Sequence, residues 1–374
     1  MKLNWLARFL SIALVASPML LSSCQTPTPE ATAPEASPGT TTAASPTAPN
    51  ELRTIKVNPS WLLQGDNAPI TLASEKGYFA EEGLNVVIER GYGSAKTITD
   101  VAAGTVEIGF GDMYSMIEFN AKNPNDPVVA VAVPYNRSPF AIATLSTNGI
   151  ADPKALQGKK LGAPAGDAPR KLWPVFAEQV GIPADSVEWI TMEPKLRETF
   201  LVKGDVDAVS GFSTSILPAL AKAGKQESDL TMFYYNDFGL NLYGNAIVVK
   251  KSFLEQNPDV VRGFLRAYFR GMQDVIKDPA AGLASVMKAG DSLMEEASEK
   301  QRLKIALERL WVTPETEANG LGGIDPARFE QTINQVAGVF EVTPPPISEV
   351  FDDSYLPPAS ERGLPPAGDR QPLN

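Results

Sequence analysis

The chain has 374 residues, 33 basic against 44 acidic side chains for a formal net charge of −11, no histidine and a single cysteine. The acidic balance argues against nucleic acid as a partner, because phosphate binding requires clustered Lys and Arg. The missing histidine excludes Ser-His-Asp and Cys-His catalysis and His-ligated metals, one cysteine excludes intrachain disulfides and Cys-based clusters, and no cofactor is implied.

Residues 1–23 read as a signal peptide. Lys2 and Arg8 form a positive start, and Phe9 to Leu21 is apolar apart from Ser11, Ser17 and Pro18, too short to span a bilayer permanently. Leu21-Ser22-Ser23-Cys24 resembles the lipobox of bacterial lipoproteins, which implies cleavage before Cys24 and its diacylation; an ordinary signal with an incidental cysteine is the alternative. Two acyl chains would anchor the chain stably to a membrane. Residues 24–51 are then a disordered tether: Gln25 to Asn50 holds 6 Pro, 7 Thr and 6 Ala and nothing apolar larger than Ala. Such a segment buries too little surface to offset its ordering entropy. The expected location is extracytoplasmic, in a periplasm or on the outer face of the cell membrane.

From Leu52 onward, β-like runs alternate with helical patterns, the mark of a mostly parallel sheet covered by helices. Thr54 to Asn58 predicts a strand, Ala68 to Glu81 a helix stopped at Gly83, Asn85 to Glu89 a strand, Ser94 to Ala103 a helix and Glu107 to Phe110 a strand. The order then recurs. Lys160 to Ala163 is a strand, Pro169 to Val180 a helix stopped at Gly181, Val187 to Thr191 a strand, Glu193 to Val202 a helix and Ala208 to Ser210 a strand. GTVEIGFG from Gly104 aligns with GDVDAVSG from Gly204, so the body reads as two related α/β lobes. Phe140 to Leu145 and Gly244 to Val249 are extended runs that suit two crossings between the lobes, a two-strand hinge. Asn257-Pro258-Asp259 opens a helix with Val260, Val261, Phe264, Leu265, Tyr268 and Met272 at helical spacing. The expected division is lobe 1 from residues 52–143 plus 246–342, lobe 2 from residues 144–245, and an extended Pro-rich tail over residues 343–374.

The segment from Trp61 to Gly111, with Gly77-Tyr78-Phe79, Glu82-Gly83-Leu84, Gly93-Ser94 and the run from Ala103 to Gly109, resembles the solute-binding proteins of ABC importers for sulfonates, nitrate and thiamine-pyrimidine precursors. Leu156 to Asp167 resembles the opening of that family's second lobe. The resemblance implies a two-lobed periplasmic-binding-protein fold of type II that closes on a ligand. It further implies a small-molecule ligand, an ABC permease and ATPase as partners, and a monomer. The yeast thiamine-pyrimidine synthases of similar fold consume a histidine and need a cysteine-rich iron site, neither of which this chain can provide.

Ligands of open α/β lobes sit beyond the carboxyl ends of the strands. After the first strand come Trp61, Gln64, Asp66 and Asn67; a stacking ring and a carboxylate suit a flat, nitrogen-bearing ligand, although Trp61 could pack the lobe and Asp66 could cap a helix. Gly93 and Ser94 begin a helix whose amides could hold an anion or carbonyl, or Ser94 could be a plain cap. Asp112 and Met113 follow the third strand, with capping again the alternative for Asp112. In lobe 2, Asp167 and Ala168 precede a helix carrying Arg170, which could clamp a carboxylate or sulfonate or pair with Asp167. Phe212 is a candidate second wall, and Tyr135, Asn136 and Arg137 a pocket floor. Arg262, Arg266 and Arg270 form a basic stripe that reads as a solvated face, while Trp173, Trp189 and Trp311 read as core. The leading expectation is a receptor, without chemistry of its own, for a small polar nitrogen-containing molecule, with a thiamine-pyrimidine-like heterocycle favoured. Taurine, an alkanesulfonate or a nitrate-type anion is the alternative cargo, and a histidine-free extracytoplasmic enzyme the alternative of another class.

Overall fold

A computed structural model describes residues 51–373; the expected signal peptide, Cys24 and nearly all of the expected tether lie outside the described residues. Ten strands are set out in chain order: β1 (Arg53–Asn58), β2 (Leu84–Ile88), β3 (Ile108–Asp112), β4 (Val128–Ala132), β5 (Phe140–Leu145), β6 (Lys160–Ala163), β7 (Glu188–Thr191), β8 (Ala208–Phe212), β9 (Leu230–Tyr234) and β10 (Asn245–Lys250). They form two five-stranded sheets, β2-β1-β3-β10-β4 and β7-β6-β8-β5-β9, of the same order. In each, three parallel strands are followed by one antiparallel strand borrowed from the far side of the chain: β10 runs against β3, and β5 against β8.

The helices follow from the apolar periodicity and its stops. α1 (Ala68–Glu75) and α2 (Tyr78–Glu81) replace the single expected helix, because Gly77 adopts φ 77° and breaks the i→i−4 ladder. α3 (Ser94–Ala102) and α4 (Met113–Lys122) complete the first repeat. In the second, α5 (Ala168–Lys171) and α6 (Trp173–Val180) are followed by α7 (Arg197–Lys203) and α8 (Ser213–Lys222). α9 (Lys251–Gln256) and α10 (Pro258–Lys277) lead back to the first sheet, where Phe264, Leu265, Tyr268 and Met272 are buried against Ile55, Val57 and Ile247. α11 (Pro279–Ala289), α12 (Glu296–Ile305), α13 (Pro314–Asn319) and α14 (Pro326–Val339) follow.

β5 lies wholly in the second sheet, paired to β8 and β9, so the expected lobe boundary at 143/144 falls inside a strand and belongs before Phe140. The crossings are the segments just before β5 and β10. They run side by side, with Gly244 N donating to Tyr135 O (2.9 Å) and Ser138 N to Leu242 O (3.1 Å). Arg328 of α14 ties them together by donating to the carbonyls of Asn136 (2.8 Å) and Leu242 (3.0 Å), its charge balanced by Glu315 at 2.9 Å.

The basic stripe on α10 stays at the surface, with the Arg266 and Arg270 side chains each 42% exposed, but its arginines are not free. Arg266 pairs with Glu82 (2.5 Å), Arg270 pairs with Glu81 (2.6 Å) and covers Tyr78, and Arg262 covers Tyr355, so the stripe staples α10 to α2 and the C-terminal segment. Trp173 and Trp311 are buried, and Trp189 packs partly buried against the same cluster as Trp173. After Thr343 the chain follows the first lobe through short turns, one of them helical, α15 (Ile347–Val350), and Phe351 makes a bridge to Ala130 beside β4; it is more structured than an extended tail.

Candidate functional site

The loop after β1 carries the first wall. Asn58, at the strand's end, accepts from Ser60 N (2.9 Å) and from Thr97 Oγ1 on α3 (3.0 Å). Held there, Ser60 takes φ 77°, a left-handed backbone that costs a non-glycine residue about 1–3 kcal/mol and that clusters at functional sites. Its hydroxyl shares a hydrogen bond with Ser94 (3.2 Å), which donates to Asn245 at the start of β10 (3.2 Å). Three elements of lobe 1 therefore present one buried polar chain to the cleft.

Gly93 is where the lobes meet. It has φ 108° with extended ψ, and an added Cβ would overlap the Gly166 carbonyl of the opposite lobe. That same carbonyl accepts from Ala95 N (3.2 Å), and Ser215 of α8 donates to Gln64 (2.8 Å), so the described state is closed. Two small adjoining cavities of about 20 Å³ each remain between the lobes. Ser60, Trp61, Phe212 and Ser215 line both. Gly93, Ser94, Asp167, Ala168 and Arg197 complete the first, and Pro59, Leu62, Gln64, Asp66, Asn67, Tyr135 and Asn245 the second. A wider groove on the far face of lobe 1, between α4, α9 and residues 342–355, is open to solvent and lacks convergent groups from two lobes.

Asp66 is 7% exposed and accepts from the Tyr135 hydroxyl (2.8 Å). Burial raises its pKa above the usual carboxylate range, while the Tyr135 bond and the Arg302 guanidinium oppose the shift. Burial and the nearby Asp66 charge push the Tyr135 phenol far up, so Tyr135 is a donor at every relevant pH. Glu299 of α12 accepts from Gly65 N (2.7 Å) and pairs with Arg302 (3.2 Å), which donates to the Thr214 carbonyl on α8 (2.9 Å). On the other side, Asp167 caps α5 through Arg170 N (3.1 Å) and accepts from Ser210 (2.6 Å). Its pKa is raised by burial against the attraction of Arg197, 3.9 Å away.

Ten of the fifteen expected residues line the two cavities: Trp61, Gln64, Asp66, Asn67, Gly93, Ser94, Tyr135, Asp167, Ala168 and Phe212. Asn136, which accepts from Thr313 (2.8 Å), the exposed Arg137, Asp112, Met113 and Arg170 do not. Asp112 turns back to cap α4, accepting from Tyr114 N (3.3 Å) and Ser115 N (2.7 Å), and Met113 is fully buried in the core. Arg170 lies over Trp189 (5.0 Å) and donates to Thr191 (3.0 Å), outside the cleft. The cation that does reach the cleft is Arg197, 2% exposed and 5.2 Å from the Trp61 ring. Gly211 makes room for it, since a Cβ there would collide with the guanidinium. A faint signal for Arg197 was its place one turn into a helix at the same offset of 100 that relates Gly104 to Gly204. Nothing local marked Ser60, Ser215 or Asn245.

The profile described as NMT1/THI5 like matches residues 64–282. The riboflavin-binding protein RibY of Chloroflexus aurantiacus is 26% identical over 91% of this chain and 96% of its own length. The formylaminopyrimidine-binding protein of Halalkalibacterium halodurans is 26% identical over 87% of this chain and 92% of its own. A 4-amino-5-hydroxymethyl-2-methylpyrimidine phosphate synthase of Aspergillus parasiticus is 26% identical over 59% of this chain and 66% of its own. Among solved structures, the alkanesulfonate-binding protein SsuA of Xanthomonas axonopodis pv. citri shares the fold with a TM-score of 0.63 at 13% identity, over 81% of this chain and 99% of that one. The relatives thus include both binding proteins and synthases.

Proposed function

The chain belongs to the NMT1/THI5-like family, and on that footing we propose that it is the extracytoplasmic solute-binding component of an ABC importer, not an enzyme. It acts as a monomer, anchored through an acylated Cys24. Its cargo is a small, flat, nitrogen-bearing heterocycle of the aminopyrimidine type, gripped between the lobes and passed unaltered to a permease and its ATPase. The proposed contacts are Trp61 and Phe212 for the ring and Asp66 and Asp167 for N–H donors, with Gln64, Asn67, Gly93, Ser94, Tyr135 and Ala168 shaping the cleft, joined by Ser60, Arg197, Ser215 and Asn245.

The observation that carries this reading is how the cleft's one arginine beneath the aromatic wall is used. Arg197 donates Nε and Nη2 to Glu198 (2.8 and 2.6 Å) and Nη1 to the Ser210 carbonyl (3.3 Å). With its charge paired to Glu198 and three of its five N–H donors engaged, it is poorly placed to bind nitrate or a sulfonate, whereas the carboxylates suit N–H groups. The synthase relatives raise an enzymatic reading, but a chain without histidine and with one cysteine has few groups for it.

Replacing Asp66 by Ala should abolish ligand-induced thermal stabilisation while leaving a folded protein. The measurement is a melting-temperature screen of aminopyrimidines, riboflavin, taurine, alkanesulfonates and nitrate with both proteins. Stabilisation by anions alone, equal stabilisation of the variant, or turnover of a bound heterocycle would sink the reading.

A further inference from the structure

The charges around the closed cleft are unevenly balanced, and in the same way on both sides. On the lobe 1 side, Asp66 and Glu299 face the single guanidinium of Arg302, which pairs closely with Glu299 alone (3.2 Å). On the lobe 2 side, Asp167 and Glu198 face the buried guanidinium of Arg197, which sits on Glu198 (2.6 Å) and only grazes Asp167 (3.9 Å), with the half-buried Arg170 attracting Asp167 from outside the cleft. Each side therefore brings two carboxylates and one buried guanidinium. The less satisfied carboxylate of each pair, Asp66 or Asp167, is the one that lines a cavity.

The other groups near these two acids do not cancel the excess. Tyr135 donates to Asp66 and Ser210 to Asp167, and both hydrogen bonds favour the ionised acid without neutralising it. Tyr268 of α10 and Tyr235 are phenols kept neutral by burial. Arg170, on α5 beside Asp167, attracts that carboxylate, but its guanidinium is turned onto Trp189 and Thr191 and gives Asp167 no side-chain hydrogen bond. Burial lifts the pKa of Asp66, Asp167 and Glu299 alike, against the attraction of the neighbouring guanidinium groups.

We propose that the cleft takes its cargo as a planar cation, an amidinium or a ring-protonated aminopyrimidine, whose positive charge is shared between Asp66 of one lobe and Asp167 of the other. This rests on the heterocycle reading above and adds the charge state of the ligand. Without a cation, closure brings two partly compensated, buried carboxylate groups toward each other across the cleft, which is costly. A cation between them reverses the sign of that interaction, so its charge promotes closure as well as affinity.

The test uses the whole body with permanently charged benzamidinium and its neutral counterpart benzamide, and with 4-amino-5-hydroxymethyl-2-methylpyrimidine as a titratable heterocycle. Calorimetry at pH 7.5 should show benzamidinium binding at least about tenfold tighter than benzamide, with the preference shrinking in Asp66→Asn and in Asp167→Asn. Its affinity should weaken as the pH falls and the acids protonate. The aminopyrimidine should take up a fraction of a proton on binding, read from buffers of different ionisation enthalpy. Ligand-free melting of the two Asn variants, which keep the side-chain shape, reports folding separately. Equal or tighter binding of benzamide, or aminopyrimidine binding without proton uptake, overturns the cation proposal and leaves the heterocycle receptor standing. If neither the three probes nor any other heterocycle binds, the receptor reading falls, and this inference with it.

Discussion

The two lobes are built alike and armed differently. At the end of the third parallel strand, lobe 1 has Asp112 and lobe 2 has Phe212, and each immediately precedes a ten-residue helix, α4 or α8. Asp112 is short and acidic, so the free amides of α4 capture it and the side chain leaves the cleft. Phe212 cannot cap, so its ring is left for the cavity. One position earlier in each lobe's architecture the contrast repeats: Thr97 on α3 donates to Asn58, whereas Arg197 on α7 brings a full charge under Trp61. A duplicated scaffold thus supplies equivalent positions, and competition between the local backbone and the cleft decides which of them become part of the site.

Breaking that contrast at Arg197 should have the largest effect. Arg197→Met leaves Glu198 without its guanidinium and Asp167 with only the outlying Arg170, which should cost about 3–5 kcal/mol in chemical denaturation. Thr97→Val at the matching place removes one neutral hydrogen bond and should cost about 1 kcal/mol. Similar losses for the two would mean that Arg197 carries no special electrostatic duty.

The next test touches the meeting point of the lobes. Gly93→Ala introduces a Cβ at a backbone conformation open mainly to glycine and against the Gly166 carbonyl. The protein should fold yet stay open, with ligand affinity down by roughly 5- to 150-fold if about 1–3 kcal/mol of strain falls on the closed state. Solution scattering with saturating ligand reads this directly, and a variant as compact as the parent would show that closure does not need that approach.

The smallest effect concerns Asp112, whose pKa burial pushes up to about 6 from 3.8. A carboxyl raised in the folded state stabilises most at low pH, and that contribution is lost as the pH rises from about 4 through about 6. Asp112→Asn keeps a capping oxygen without the titration. Its stability relative to the parent should therefore improve by about 1–3 kcal/mol between pH 4 and 7, with ligand affinity unchanged. A pH-independent difference would contradict the burial argument, and a lost affinity would return Asp112 to the cleft.

Much of the fold was legible because strand and helix periodicities and glycine stops are local. Lys160–Ala163 and Phe140–Leu145 form the strands their residues suggest, and α10 buries the apolar positions that recur along it. The lining of the candidate cleft was legible wherever a residue simply follows a strand and faces the crevice, as Trp61, Asp66, Ser94 and Asp167 do. Arg170 misled because a long side chain can reach Trp189 and Thr191 as easily as the cleft, and sequence position does not choose between them. Ser60 needed a strained φ, and Asn245 needed β10 to cross back beside β3, before either could be seen as part of the cavity.

The order of residues by itself determined the duplicated α/β pattern, the exclusion of histidine and cysteine chemistry, and the strand-end positions from which a site could be drawn. Only the tertiary structure decided which charges meet there: Arg197 rather than Arg170, Asp66 and Asp167 rather than Asp112. The reason is physical. Secondary structure depends on neighbours a few residues away, whereas a buried charge is settled by groups that lie far apart in the chain and come together only when two lobes close.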